Sequence, residues 1–215
     1  MKKHKLLGIF VSATLIAGCA AVPSPAELDA LTAQIMRASF RDEGPVKVDR
    51  LIQDDSNREC SAAEAAGKPI DTLVAKRIEE ANLKTIRWPS DGKFIGDWKQ
   101  GEAIAQSGRG FTWTDAPGQA NGGNCYNCHQ ISKTEISFGT IGPSLYNYGK
   151  IRGVKDPASA ESKAIVEYTW GKVWNSKAYN ACSNMPRAGH AGILNEAQVR
   201  HIVGLLLDPK SPVNE

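Results

Sequence analysis

Apolar positions along this 215-residue chain recur at helical rather than strand spacing. Leu28, Leu31 and Ile35 follow Ser24-Pro25-Ala26-Glu27. A serine with glutamate three residues later and proline at the first helical position is the signature of a capped helix start. Ile70, Leu73, Val74 and Ile78 mark a second amphipathic helix that fades before Trp88-Pro89. A third stripe, Trp98, Gly101, Ile104 and Ala105, runs toward Gly108. Near the end, Asn195 with Gln198 three positions on predicts a capped helix whose Val199, Ile202, Val203 and Leu206 share a face, closed by Asp208-Pro209. The polar stretch Asp54 to Asn57 and the Gly/Pro/Asn-rich stretch Thr114 to Asn124 read as connections. With no strand-like alternation of useful length and no internal repeat, the expected fold class is all-α.

The first residues are an address rather than structure. Lys2, Lys3 and Lys5 precede the apolar run Leu6 to Ile16, too short to span a bilayer. Residues 1–18 are therefore expected to be a signal peptide, which predicts an exported, periplasmic protein. The run ends Leu15-Ile16-Ala17-Gly18-Cys19, which resembles the lipobox after which bacterial lipoproteins are cleaved and lipidated on cysteine. Ordinary cleavage after Ala21 is the alternative. Residues 1–18 carry three of the 26 Lys and Arg and none of the Asp and Glu, so the remainder balances at 23 of each sign. No basic excess is left to bind nucleic acid. Membrane association is expected only through a lipid at Cys19. The rest divides into a helical N-terminal extension over 20–95, a domain over 96–208 and a short tail over 209–215.

Chemistry concentrates in the cysteines. Cys19 sits at the processing site, and Cys60 and Cys182 form a candidate disulfide in an oxidising compartment, two buried thiols being the other reading. Cys125-Tyr126-Asn127-Cys128-His129 is a C-x-x-C-H motif: two thiols one turn apart can attach haem vinyl groups while the next imidazole reaches the iron. A zinc site would need a second ligand pair, and a redox dithiol usually accompanies alternating strands and helices. The motif thus predicts one covalently bound haem c, with Cys125 and Cys128 as attachment points and His129 as an axial ligand.

For the second axial ligand the chain after the signal offers Met36, Met185, His190 and His201. Met36 lies on the apolar side of the first predicted helix, as a core filler. His201 lies within the last helix. Met185 stands in Asn184-Met185-Pro186, 56 residues after His129, where a rigid turn can present its thioether to iron. Met185 is the expected ligand, with His190 as the alternative. In Ile141-Gly142-Pro143-Ser144-Leu145, the Pro143 carbonyl can accept the distal ring N–H of His129 and so fix the ring, a plain turn being the other reading.

From Gly96 to Asp208 the chain resembles class I cytochromes c, in which a Gly-Pro-x-Leu segment holds this position. More specifically, Asp97-Trp98-Lys99, Gln106-Ser107-Gly108-Arg109-Gly110, Gly122-Gly123-Asn124-Cys125-Tyr126-Asn127-Cys128-His129, Gly139-Thr140-Ile141-Gly142-Pro143-Ser144-Leu145 and Asn184-Met185-Pro186-Arg187 resemble the SoxX subunit family of SoxAX cytochromes. The resemblance implies a heterodimer with the SoxA cytochrome and transient contact with the SoxYZ carrier. It also implies a role as the electron-transfer subunit of an L-cysteine S-thiosulfotransferase that couples thiosulfate to a carrier cysteine. Bond formation would lie on the partner, which fits the lack of any nucleophile–base set or paired carboxylates near the haem motif. An independent electron shuttle feeding an oxidase or dehydrogenase is the alternative, and a gas sensor or peroxidase would require an exchangeable iron position. Ala188 departs from the family, where an aromatic is expected.

Overall fold

A computed structural model describes residues 22–215; the signal peptide and Cys19 lie outside the described residues. Among these residues the protein is all-helical, with no strand and one isolated antiparallel bridge between Glu43 and Val46. The described residues divide into two compact units with the boundary between Arg41 and Asp42. That boundary falls inside the stretch 20–95.

The first unit holds α1 (Pro25–Ser39), opened by the anticipated capping box between Ser24 and Glu27. No residue of α1 is buried, and Leu28, Leu31 and Ile35 remain about half exposed. Met36 is half-buried and so does not serve as the core filler its spacing predicted.

In the second unit, α2 (Asp55–Ala65) and α3 (Thr72–Leu83) are capped by Asp54 and Asp71, whose carboxylates accept backbone N–H groups of the first turn. They are followed by α4 (Trp98–Gln106), α5 (Tyr148–Ile151), α6 (Lys163–Trp174) and α7 (Glu196–Leu207). α4 and α7 cross closely. A Cβ at Gly101 would lie 2.1 Å from the His201 carbonyl oxygen and 2.9 Å from the Leu205 Cβ, and one at Gly204 would lie 2.3 Å from the Gly96 carbonyl oxygen. The contact of Gly101 therefore falls on His201 and Leu205, one position before Ile202 and Leu206 of the apolar face. His201 is part of this joint, its Nδ1 accepting the Asp97 N–H at 3.0 Å while the Gly96 N–H donates to the Arg200 carbonyl at 2.9 Å.

The core runs through α6 and α7, with Trp170, Val199, Val203, Leu205 and Leu207 fully enclosed. Trp170 stacks on Trp174 at 5.9 Å, meets Phe94 edge-on at 5.5 Å, and donates its indole N–H to the Arg87 carbonyl at 3.0 Å. A buried polar chain ties α2 and α3 to the turn Ser176–Ala178: the Asn82 amide donates to the Ser56 hydroxyl, and the Asn175 amide donates to Asn82 Oδ1 at 2.9 Å and to the Thr85 hydroxyl at 2.8 Å. The last seven residues are folded in as well. Ser211 and Val213 are buried, the Asn147 N–H donates to the Val213 carbonyl, and Asn214 Oδ1 accepts the Gly149 N–H at 2.9 Å.

Candidate haem-binding site

The C-x-x-C-H segment forms a single turn, Cys125–Asn127, entered through Asn124 in the left-handed conformation (φ 51°). Turn bonds place Cys128 and His129 over Cys125, whose carbonyl accepts both backbone N–H groups at 3.1 and 2.9 Å. On one side the turn hangs from α4: the Gly123 N–H donates to the Ile104 carbonyl and the Asn124 N–H to the Ser107 carbonyl. On the other it is stitched to the following loop, the Gly139 N–H donating to the Tyr126 carbonyl and the Gly142 N–H to the Cys128 carbonyl, both at 2.8 Å. Two glycines permit this closeness. A Cβ at Gly139 would lie 1.8 Å from the Asn127 carbonyl oxygen, and one at Gly142 would lie 2.1 to 2.7 Å from ring atoms of His129.

The ring of His129 is fixed from behind. Its Nδ1 lies 2.7 Å from the Pro143 carbonyl oxygen. A carbonyl can only accept, so Nδ1 carries the hydrogen and Nε2 presents its lone pair. Cys125 and Cys128 are free thiols on one turn. Burial pushes the Cys125 thiol up to about 11, the opposite of the lowered value that makes a redox dithiol reactive at neutral pH. Ile136, Phe138 and Ile141 of the same loop are exposed. Two thiols, an imidazole with a bare Nε2 and a glycine cradle fit the attachment side of a haem c. Among the described residues no group of three or more His, Cys, Asp or Glu could hold a metal ion by itself, so a zinc site lacks its further ligands.

Met185 reaches its place by a different route. It packs, half-buried, on the same core as Cys125. Its carbonyl accepts the Ser176 hydroxyl at 2.6 Å and its N–H donates to the Ser183 hydroxyl at 3.2 Å. Cys60 of α2 is bonded to Cys182, with Cα atoms 5.5 Å apart. Arg187 pairs with Asp54 at 2.5 Å, and the Ala181 N–H donates to Glu79 of α3 at 3.1 Å. His190, the alternative ligand, is exposed, with its backbone N–H on the Trp174 carbonyl. Ala188 is buried, and beside it a Cβ at Gly189 would lie 2.4 Å from the Trp174 ring, so an aromatic from α6 already fills this neighbourhood.

Sequence reasoning passed over Asp54, Glu79, Ser176 and Lys177, all of which support or flank the Met185 segment. Asp54 carried a readable signal, an Asx residue before a helix. The others gain meaning only from contacts more than a hundred residues away or from burial.

No family model matches the chain. The uncharacterized lipoprotein of Aquifex aeolicus (strain VF5) is 31% identical to it over 220 residues, covering 100% of both chains.

Proposed function

The chain belongs to the same family as the Aquifex lipoprotein, and on that premise we propose that it is an exported, lipid-anchored c-type cytochrome carrying one haem. The observation that carries this reading is the turn Cys125–His129, where two free thiols stand beside an imidazole whose Nδ1–H is committed to Pro143. Cys125 and Cys128 would hold the group through thioether bonds. His129 would ligate iron through Nε2, and Met185 from the loop after Cys182. A bound haem supplies reversible one-electron exchange between ferric and ferrous iron. The Pro143 carbonyl keeps the His129 ring from turning and raises its basicity as a ligand. The thioether of Met185 would favour the ferrous state and so a raised potential. Lipid attachment at Cys19 is supported by the Leu15–Cys19 run and by the relative's name as a lipoprotein. No helix among the described residues is long and apolar enough to cross a membrane.

The class I cytochrome c fold belongs to the same proposal, supported by the α4–α7 crossing and the Gly142-Pro143 brace. Within it, the role we favour is the electron-accepting subunit of a SoxAX-like complex, paired with a SoxA cytochrome and serving the SoxYZ carrier. It is supported by the five resembling segments, four of which fall on the haem turn, its glycine brace, α4 and the Met185 loop.

Intact mass and an alkaline pyridine spectrum of the exported protein should show one covalent haem, lost in the Cys125→Ala/Cys128→Ala variant. Haem retained by that variant would overturn the attachment. Met185→Ala should abolish the far-red sulfur-to-iron band of the ferric protein and lower its potential, whereas His190→Ala should leave both unchanged. Full carbon monoxide binding by the ferrous wild type at low concentration would instead indicate an open iron position. Co-purification from the native host, with the bound subunits identified, separates the SoxAX-like role from an independent shuttle.

A further inference from the structure

Lys177 is the least expected residue in the molecule. It sits in the turn Ser176–Ala178 and is only 6% exposed, yet among the described residues its ammonium makes no hydrogen bond and no ion pair. Its aliphatic stem is packed in, while Nζ, which is not one of the fully enclosed unpartnered polar atoms, faces the cavity. Burial pushes its pKa down and the charge of Arg187 pushes it further, with Asp54 opposing. The side chain lines a cavity of about 730 Å³ bounded by α2, the Cys60–Cys182 bond and the segment Ser183–Arg187. Arg187 lines the same cavity, is largely covered, and spends one guanidinium nitrogen on Asp54. Its remaining N–H groups have no hydrogen-bond partner among the described residues.

We propose that this cavity binds a small solute oxyanion, held by the point charge of Lys177 and the planar donor fork of Arg187. The chemistry selects the ligand. A compact ammonium beside a guanidinium matches a tetrahedral or planar oxyanion, whose separate oxygens can accept from the ammonium and from two N–H groups of the planar fork at once, a geometry that a single spherical chloride does not match. Asp54 holds one edge of the guanidinium, which orients the fork without neutralising Lys177. Met185 lines the same cavity, which therefore lies on the methionine side of the proposed haem site.

The probe is sodium sulfate, titrated into the full-length protein with its native prosthetic group, against sodium chloride at matched ionic strength. Sulfate also stabilises proteins nonspecifically by exclusion from their surface, so the diagnostic part is the one that saturates and depends on Lys177. Wild type should show saturable heat and a Tm that rises and then levels with sulfate. Lys177→Met should weaken binding at least tenfold. Lys68→Met, at an exposed position on the cavity rim, should change sulfate affinity less than threefold. Should Lys177→Met fail to fold, Lys177→Gln asks the same question with a neutral polar side chain. Non-saturating stabilisation alone, or sulfate affinity kept by the neutral variant, would overturn the proposal.

Discussion

The attachment turn and the methionine segment face the same proposed chemistry, but they are built by opposite means. Residues 121–145 hold His129 through backbone bonds between near neighbours, with Gly139 and Gly142 admitting the close approach. Residues 180–190 hold Met185 through the nearby Ser176 hydroxyl and through three partners remote in sequence, Cys60, Asp54 and Glu79. The first arrangement needs only the chain from α4 to Leu145, whereas the second is complete only once α2 and α3 have docked. A residue change in α2 or α3 should therefore disturb the methionine side of the site and spare the histidine side.

Removal of the Cys60–Cys182 bond gives the largest separation of the two. The bond spans a sequence separation of 122 residues, for which chain entropy suggests at most roughly 5 kcal/mol. In the reduced protein, or in Cys60→Ser/Cys182→Ser, amide exchange should rise first across 42–95 and then around Met185. The amides of Gly139 and Gly142 should keep their protection. Equal loss of protection on both sides would break the comparison. Mass spectrometry of alkylated, unreduced protein checks the bond itself, since two alkylated thiols at these positions would leave the segment held by packing alone.

Gly142→Ala probes the opposite side. Its new methyl group would fall within 2.1 Å of the His129 ring, and overpacking of this kind costs about 1–3 kcal/mol. Urea unfolding should show that loss, with the Nδ1–Pro143 bond weakened and the amide of His190 on the Trp174 carbonyl still protected. An unperturbed imidazole signal by NMR would mean that the loop can retreat, and that the brace is softer than its bonds imply.

The same contrast explains what could be read in the sequence. The C-x-x-C-H turn, the Pro143 brace and the starts of α1 and α7 depend on residues within a few positions of one another, so spacing alone located them. α6 escaped because its buried residues, Val166, Thr169, Trp170, Gly171, Val173 and Trp174, include a threonine and a glycine and crowd its second half, which blurs the apolar stripe although Lys163 and Glu167 pair on the exposed side. α2 escaped for the reverse reason, since Ser56 is its one buried residue and the helix carries no apolar stripe. The tail looked like an appendage, but Ser211 and Asn214 are buried because each bonds backbone groups at the end of α7. The polar chain Ser56–Asn82–Asn175–Thr85 was equally hidden, since a polar residue shows its partner only in three dimensions. The methionine side of the site thus stood in the sequence as a residue with one readable support, the Cys60–Cys182 pair, and without the others.

The smallest effect should come from the most specific change, Asp54→Asn. Asparagine can still accept the Asn57 N–H and cap α2, so the substitution removes only the charge facing Arg187. For a partly exposed pair the loss at neutral pH should be ~1 kcal/mol. Its pH dependence has a definite sign. Burial raises the Asp54 pKa, but the Asn57 N–H and the Arg187 charge outweigh it and leave the carboxyl below its ordinary value. A carboxylate depressed in the folded state contributes stability above its unfolded pKa, about 4, and that contribution disappears as pH falls through the lower folded value. Urea midpoints of wild type and Asp54→Asn should therefore differ at pH 7 and converge as the pH drops below about 4. Amide exchange at pH 7 should place the difference in α2 and the Cys182–Arg187 segment, with Gly142 unchanged. A gap that persisted undiminished into acid would mean that Arg187 is held by its packing rather than by its charge partner, and that the methionine side depends on the disulfide and the buried amides alone.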